Sequence, residues 1–181
     1  MALPFFTIGH SNRSLDDFIA LLREADVQRV IDVRAFPRSR TNPQFNETAL
    51  PEALRPFDLS YEHIAALGGR RGKSKPVPAG VNAFWINQSF HNYADYALSD
   101  AFRVGLEHLI AQGRSYRCAI MCSEAVWWRC HRRIIADYLL ARDETVLHIL
   151  GSGHIDAARL TDGVVLQPDD TLTYPAAGEQ A

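Results

Sequence analysis

The sequence lacks the features that mark exported, disulfide-stabilised and membrane-spanning proteins. It contains three cysteines, and because an odd number cannot pair completely within one chain, we expect reduced thiols and a reducing compartment. The N-terminus has no basic segment followed by a long apolar stretch and a cleavage site, so no export signal is predicted. No apolar run approaches the ~18 residues of a membrane span. These absences predict a cytoplasmic protein with no membrane partner.

A strong net charge of either sign is also lacking. The formal net charge is -2, which gives no overall attraction to nucleic acid or to acidic membranes. The distribution is uneven, however, because no Asp or Glu occurs between His63 and Ala94, and only Lys73 and Lys75 of the 19 basic residues are lysines. The planar fork of arginine suits carboxylate and phosphate groups, so its clusters indicate either an anionic ligand or an ordinary solvated surface. The clusters are Arg34, Arg38 and Arg40; Arg70, Arg71, Lys73 and Lys75; and Arg129, Arg132 and Arg133.

The chain length and the order of predicted elements indicate one α/β domain. The 181 residues suit one domain of about 100 to 200 residues, placed at residues 1–174, with a disordered tail at 175–181. Short β-prone runs alternate with helical segments, which predicts a single open, mainly parallel sheet with helices on both faces, a Rossmann-like three-layer fold. The predicted strands cover 5–9, 29–33, 59–63, 116–121 and 145–150. Helical patterns begin after Ser14, cover 47–55 and 90–113, with a start at Ser99 and a C-terminal cap at Gly113, and include 134–140.

Polar residues follow the predicted strands at the point where each strand ends. The carboxyl ends of parallel strands meet at one edge of a sheet, and ligands in open α/β folds bind at that edge. We therefore expect these side chains to share one rim. They are His10 and Ser11, Asp32 and Arg34, Glu62 and His63, Cys122 and Glu124, and His148.

Cys122 is the leading candidate for a nucleophile or redox thiol. The predicted order of strand, cysteine, loop, arginine and helix is similar to that of rhodaneses and cysteine-dependent phosphatases, and a helix N-terminus together with Arg129 would stabilise a thiolate. Arg129 follows Cys122 by seven residues rather than six, and the intervening S-E-A-V-W-W has none of the glycines that let backbone amides wrap a phosphate. The alternative is that Cys122 is a small buried hydrophobic residue.

Glu124 is the second candidate, as a general acid or base. It could instead anchor an arginine such as Arg34 or Arg132, or stabilise the first turn of the following helix. His131 follows Cys130 directly, and on a helix the two side chains would point about 100° apart and would not serve the same centre.

Neither a cofactor nor a metal is predicted. Cys118 and Cys122 would stand roughly 13 Å apart along one strand, too far to share an ion, and C-x7-C-H matches no common zinc spacing. A metal would require Cys122, Cys130, Glu124 and a distant histidine such as His10.

Aromatic residues near the arginine clusters offer stacking faces for bases or belong to the core. Only one of two adjacent tryptophans can face a ligand. The aromatic candidates are Trp127, Trp128, Phe36, Phe45, Phe84 and Trp85.

Two segments are predicted to be loops with a role in binding. The glycine-, proline- and lysine-rich segment 67–80 is predicted to be mobile and to close over an anion, and the proline-containing segment 34–46 is predicted to be a functional loop.

Several spaced motifs resemble the domain of unknown function 488 family. They are T-I-G-H-S-N-R-S, V-I-D-V-R-A-F-P-R-S-R-T-N-P-Q-F-N, L-G-G-R-R, and M-C-S-E followed by W-R-C-H-R-R-I-I-A-D. The resemblance extends over about residues 5–150 and implies no established reaction. It implies signature positions at His10, Ser11, Asp32, Arg34, Pro37, Arg38, Asn42, Phe45, Gly68, Gly69, Cys122, Glu124, Cys130, His131 and Arg132.

The preferred hypothesis is an enzyme that acts on an anionic, phosphate-bearing substrate, such as a nucleotide or nucleic acid, at the C-terminal edge of the sheet. Two alternatives stay open: a non-catalytic nucleic-acid-binding module, and a thiol redox or sulfur-transfer protein that uses Cys122. The catalytic candidates are Cys122 and Glu124, with His10 and His131 as proton carriers. The anion-binding candidates are Ser11, Asp32, Arg34, Arg38, Asn42, Arg70 and Arg132.

Overall fold

The computed structural model describes residues 2–178 and contains a six-stranded sheet in the order β3-β2-β4-β1-β5-β6. The first five strands along the chain are parallel, and β6 runs antiparallel to β5. The prediction of an open, mainly parallel α/β sheet is confirmed. The strands are β1 (Phe5–Gly9), β2 (Arg29–Asp32), β3 (Ser60–His63), β4 (Cys118–Cys122), β5 (Val146–Gly151) and β6 (His154–Ala157), and a separate hairpin contains β7 (Val165–Leu166) and β8 (Leu172–Thr173).

Helices cover both faces of the sheet because neighbouring strand residues point to opposite sides. In β1, Phe5 joins one apolar cluster and Phe6 joins the other, and Cys118 and Ala119 divide in the same way in β4. Helices α1 (Leu15–Glu24) and α2 (Leu50–Leu54) pack on the face of Phe6. On the face of Phe5 pack α3 (Gln88–Tyr96), α4 (Asp100–Ser115) and α5 (Arg132–Leu140). The three-layer prediction therefore holds.

Local capping explains where two of the helices begin. The Ser14 hydroxyl accepts a hydrogen bond from the Asp17 amide at 3.1 Å, and Ser99 caps α4 by accepting from the Phe102 amide at 3.3 Å. Both serines satisfy amides that have no partner within their helix. The predicted helix starts at these positions are confirmed.

Three helix boundaries differ from the prediction. The pattern over 90–113 belongs to two helices, α3 and α4, and Gly113 lies inside α4 rather than at its C-terminal cap. A Cβ atom at Gly113 would come within 2.1 Å of the Phe5 ring, so close packing, not capping, requires glycine there. The predicted helix over 47–55 is shorter because α2 continues as a 3-10 turn, Arg55–Phe57, which contains Pro56.

The end of β5 also differs from the prediction. The last strand, predicted over 145–150, covers Val146–Gly151, and a turn at residues 152–153, with Gly153 in the left-handed region (φ +66°), leads into the unpredicted strand β6. His148 lies within β5, opposite Thr7, and is therefore not at the rim.

The C-terminal segment follows a buried residue, Tyr174, whose hydroxyl donates to Asp137 at 2.8 Å. Residues 175–178 form neither helix nor strand. The rest of the predicted tail, 179–181, lies outside the described residues. No helix between residues 2 and 178 has the length and apolar character needed to cross a bilayer.

Candidate functional site

A pocket of about 510 Å³ opens at the C-terminal edge of the parallel strands. Its walls come from the segments that follow β2, β3 and β4 and from the start of α3, so residues far apart in sequence meet there. The lining residues are Arg34, Ala35, Phe36, Arg38, Gly69, Arg70, Asn87, Ser89, Phe90, Tyr93, Cys122, Ser123, Glu124, Arg129, Cys130 and His131.

The predicted site residues divide into two groups. Six of them line this pocket, and five lie outside its lining. The six are Cys122, Glu124, His131, Arg34, Arg38 and Arg70. The five are His10, Ser11, Asp32, Asn42 and Arg132.

Asp32 holds Arg34 in place instead of facing a ligand. Its carboxylate is fully buried and accepts hydrogen bonds from the Arg34 guanidinium, the shortest at 2.7 Å, and from the Tyr61 hydroxyl. Arg34 also donates to the Phe45 carbonyl at 2.6 Å. Burial and the neighbouring carboxylate raise the pKa of Tyr61, which stays protonated. The charge of Arg34 is therefore compensated within the protein, and the predicted anion-binding role of Asp32 becomes a positioning role.

His10 is packed inside the protein. Its Nδ1 donates to the Ser11 carbonyl at 2.8 Å, which leaves Nε2 to accept from the Arg34 guanidinium at 3.3 Å. The ring stacks on Phe45 at a centroid distance of 4.5 Å, and burial lowers the pKa of His10. A neutral histidine whose two nitrogens are occupied is not set to carry a proton to a ligand in the pocket.

Ser11 and Asn42 support loops rather than the pocket. The Ser11 amide donates to the Ser123 carbonyl at 3.0 Å and so joins β1 to the segment after β4. The Asn42 amide donates to the Ser39 hydroxyl at 2.9 Å, just before the 3-10 turn Pro43–Phe45.

The segment between β4 and α5 is a loop, which we call the β4 loop (residues 123–131). The prediction that Cys122 lies at the mouth of a helix is wrong, because α5 begins only at Arg132. The Glu124 carbonyl accepts a hydrogen bond from the Arg132 guanidinium at 2.8 Å, and a Cβ at Gly9 would come within 1.8 Å of the same oxygen. These contacts fix the first half of the β4 loop against β1.

Arg132 is 1% exposed, and its guanidinium is used inside the fold. It donates to the Thr7 hydroxyl at 3.1 Å, which leaves that hydroxyl to donate to Nδ1 of His148 at 2.6 Å. Burial and the charge of Arg132 lower the pKa of His148 to about 4. Arg132 therefore does not face the pocket as an anion-binding side chain.

Cys122 and Cys130 bring their sulfur atoms to 2.7 Å at the base of the pocket. Burial raises the pKa of Cys122, and the neighbouring Cys130 raises it further. Burial acts against the Cys130 thiolate too, but the hydrogen bond from Cys122 and the charges of His131 and Arg132 outweigh it and hold the pKa of Cys130 well below its usual range. The surroundings of the two sulfurs therefore favour a thiolate at Cys130 over one at Cys122, the position expected from the sequence.

Cys130 owes this difference to its position before α5. Its sulfur accepts from the Arg132 amide, at the start of the helix, at 3.4 Å and lies 3.5 Å from Nδ1 of His131. Nε2 of His131 donates to the Val33 carbonyl at 2.8 Å, which orients the ring. Because His131 precedes the helix, the expectation that Cys130 and His131 point apart is also wrong.

Glu124 is one of the residues that line the pocket. The side chain is half-buried, and within residues 2–178 it forms neither an ion pair nor a hydrogen bond. Only its backbone carbonyl contacts Arg132, and Arg34 is paired with Asp32. The alternatives of an arginine anchor or a first-turn acid therefore do not apply to this carboxylate.

Three exposed arginines, Arg38, Arg70 and Arg129, line the pocket. The Arg70 guanidinium lies 5.7 Å from the centre of the Phe36 ring, which is 66% exposed. None of the three guanidiniums forms an ion pair in the part of the chain that the structure describes. They are the positive charges that remain available to a ligand.

A family model for a domain of unknown function, DUF488, matches residues 14–139, well over half of the chain. The chain belongs to the DUF488 family. The matched region contains every residue that lines the pocket. No curated protein and no solved structure matches this DUF488 protein.

The aromatic residues of this DUF488 protein separate into core and surface. Trp127 stacks on His148 at 4.6 Å, whereas Trp128 is 44% exposed, so only one of the two tryptophans faces outward, as expected. Phe45 and Trp85 are buried in the core. Phe36 and Trp128 are therefore the best-exposed rings among the predicted stacking candidates.

The segment 67–80 is anchored at its beginning. The Arg71 guanidinium lies 3.8 Å from the centre of the Tyr96 ring and donates to the Gly68 carbonyl at 3.0 Å. A Cβ at Gly69 would come within 2.9 Å of Nδ1 of His131, so glycine permits this segment to approach the pocket.

The described part of this DUF488 protein shows no group of three or more His, Cys, Asp or Glu side chains that could hold a metal ion. Of the four ligands considered from the sequence, His10 is turned towards Arg34.

Sequence reasoning missed the wall formed by α3. Asn87 caps this helix by accepting from the Ser89 and Phe90 amides, and all three residues line the pocket. The sequence feature that could have predicted the start of this helix was Asn87, a residue type favoured at helix N-caps. The wall meets the β4 loop where the ring of Tyr93 lies 4.8 Å from that of His131, a contact between residues distant in sequence that no local pattern predicts.

Proposed function

We propose that this DUF488 protein is an enzyme that acts on a phosphate-bearing substrate in the pocket at the C-terminal edge of the sheet. One observation carries the proposal: an unpaired carboxylate, Glu124, shares the pocket with the uncompensated guanidiniums of Arg38, Arg70 and Arg129. Guanidinium forks bind phosphate oxygens in pairs, and a carboxylate beside them suits general acid or base chemistry.

A nucleotide-like substrate fits the other features of the pocket. Phe36 and Phe90 add ring faces, and Asn87 and Ser89 add polar groups at the positive end of the α3 dipole. A substrate with both a phosphate and a flat apolar part would use these features together. In this role the arginines bind the phosphate, the rings hold the apolar part, and Glu124 gives or takes a proton at the reacting atom.

The first test is binding followed by turnover. Inorganic phosphate, phosphate esters and nucleotides are screened by thermal shift, and bound compounds are assayed for conversion. We expect Arg38→Ala, Arg70→Ala and Arg129→Ala each to weaken binding about 10- to 100-fold, since a hydrogen bond to a charged group contributes about 1.5–3 kcal/mol. Glu124→Gln should keep binding and lower turnover about 10²- to 10⁴-fold.

Arg55→Ala is the matched control, because Arg55 is an exposed arginine paired with Glu52 outside the pocket. It should change neither measurement. Unchanged affinity in all three pocket variants, or full turnover in Glu124→Gln, would reject the proposed enzyme.

A second candidate function is non-catalytic binding of single-stranded nucleic acid. It is favoured by the exposed rings of Phe36 and Trp128 beside arginines, because bases stack on such rings while cations contact the backbone. Affinity for oligonucleotides should then fall steeply as the salt concentration rises, and Trp128→Ala should weaken binding. Neither the wild type nor the variant should convert the oligonucleotide. Affinity that does not depend on salt would reject this candidate.

A further inference from the structure

The base of the pocket contains two thiols whose surroundings differ. The Cys122 and Cys130 sulfurs are 2.7 Å apart, eight residues apart in sequence, and both residues line the pocket. Cys122 has two acceptors, the Cys130 sulfur and the Glu124 carbonyl, the latter at 3.8 Å. Cys130 instead accepts from the Arg132 amide at the start of α5. Cys122 is therefore placed as the donor of the pair and Cys130 as the acceptor.

We propose that Cys122 and Cys130 form a dithiol–disulfide pair that exchanges with low-molecular-weight disulfides, with Cys130 as the attacking thiolate and Cys122 as the resolving thiol. This activity goes beyond the proposed function because it requires neither a phosphate nor Glu124. It also moves the reactive thiol expected from the sequence, Cys122, to its partner.

The buried guanidinium of Arg132 supports this division of roles. Arg132 is 1% exposed, forms no ion pair with a carboxylate within the described residues, and its Nε has no hydrogen-bond partner there. A thiolate at Cys130 supplies the compensating negative charge, and the pKa of Arg132 is raised, against the effect of burial, by both cysteines. Formation of a disulfide removes this charge, so the reduced pair is stabilised and the disulfide is readily reduced.

The exchange takes place in two steps. The Cys130 thiolate attacks one sulfur of the small disulfide, forms a mixed disulfide and releases one small thiolate. Cys122 then attacks the Cys130 sulfur, displaces the second small thiol, and its proton leaves with that thiol. The two cysteines lose two electrons to the small disulfide, which is reduced to two thiols.

The test treats the reduced full-length protein with excess oxidised glutathione at neutral pH and follows it by intact mass. The wild type should lose two hydrogens and keep no glutathione adduct. Cys122→Ser should keep one glutathione on Cys130, because the resolving thiol is gone. Cys130→Ser should react at least about tenfold more slowly than the wild type, since burial raises the pKa of the remaining thiol, Cys122, and keeps it almost entirely protonated at neutral pH.

Cys118→Ala is the control, because Cys118 is buried, lies at the other end of β4, and burial raises its pKa to about 11. It should react like the wild type. If a cysteine variant does not fold, the folded wild type is alkylated instead and peptide mapping identifies which cysteine reacts first. Cys130 is expected to react first if it is the attacking thiolate. Labelling of Cys122 first, or a wild type that forms only stable glutathione adducts or no disulfide, would overturn the proposal. Loss of phosphate binding with intact exchange would count only against the proposed enzyme.

Discussion

At the scale of single residues, the buried charge of Asp32 is balanced by the guanidinium of Arg34. Asp32 is fully buried and Arg34 is 5% exposed, with 2.7 Å between their charged atoms. Removing the charge of one partner leaves the other uncompensated in a poorly solvating interior. We expect Asp32→Asn to lower the free energy of unfolding by about 3–5 kcal/mol, measured by urea denaturation.

The exposed pair of Glu52 and Arg55, at 2.8 Å, has similar geometry and serves as the control. Glu52→Gln should cost less than about 1 kcal/mol, because water solvates both groups. Equal losses in Asp32→Asn and Glu52→Gln would show that burial does not make the Asp32 pair important.

At the scale of elements, the site depends on close contact between the end of β1 and the β4 loop. Gly9 touches the Glu124 carbonyl so closely that an added Cβ would lie 1.8 Å from that oxygen, and both partners are backbone. We expect Gly9→Ala to displace the loop that contains Glu124 and to lower the free energy of unfolding by about 1–3 kcal/mol. Denaturation measures the loss of stability, and ligand affinity measures the effect on the pocket.

Gly72→Ala provides the comparison, since an added Cβ there would have no neighbour within 4 Å. It should change neither stability nor affinity by a measurable amount. A Gly9→Ala protein with wild-type stability would mean that the β4 loop has room to move and is not fixed by β1.

At the scale of the whole molecule, buried neutral histidines make stability depend on pH. Burial lowers the pKa of His148 from its ordinary value of 6.5 to about 4, and also lowers that of His10. Between these pH values the unfolded chain binds protons that the folded molecule does not, so acid favours unfolding. We expect His148 alone to remove about 3 kcal/mol of stability as the pH falls from 6.5 to 4.

Denaturation of the wild type and of His148→Gln across this pH range measures the difference. The variant should lose less stability in acid than the wild type, whereas His154→Gln should behave like the wild type because His154 is exposed on β6. Identical pH profiles for the wild type and His148→Gln would contradict the lowered pKa of this histidine.

Much of the fold could be predicted because its signals are local. Ser14 and Ser99 cap their helices through contacts with residues three positions away, and short apolar runs in the sequence predicted the strands β1, β2 and β4. The strand β6 was missed because its residues are mostly exposed, and the start of α5 was misplaced because the preceding loop is fixed by Gly9 and Arg132 rather than by its own residues.

The candidate site could be predicted only in part. Cys122, Glu124 and Arg34 were found because they follow strands, and strand ends in a parallel sheet must meet at one edge. The sequence did not show that Arg34 is already paired, that His10 is turned away, or that α3 completes the wall. Each of these depends on which distant side chain packs alongside.

The sequence alone determined the alternation of strands and helices and the edge where polar residues collect, because periodicity and capping act over a few neighbouring residues. Only the tertiary structure decided which charges remain free and which surroundings each thiol has. Arg132 reaches Thr7 across 125 positions, and Thr7 reaches His148 across 141. A pKa depends on the burial and the charges that surround a group, and here both come from segments that become neighbours only when the sheet is assembled.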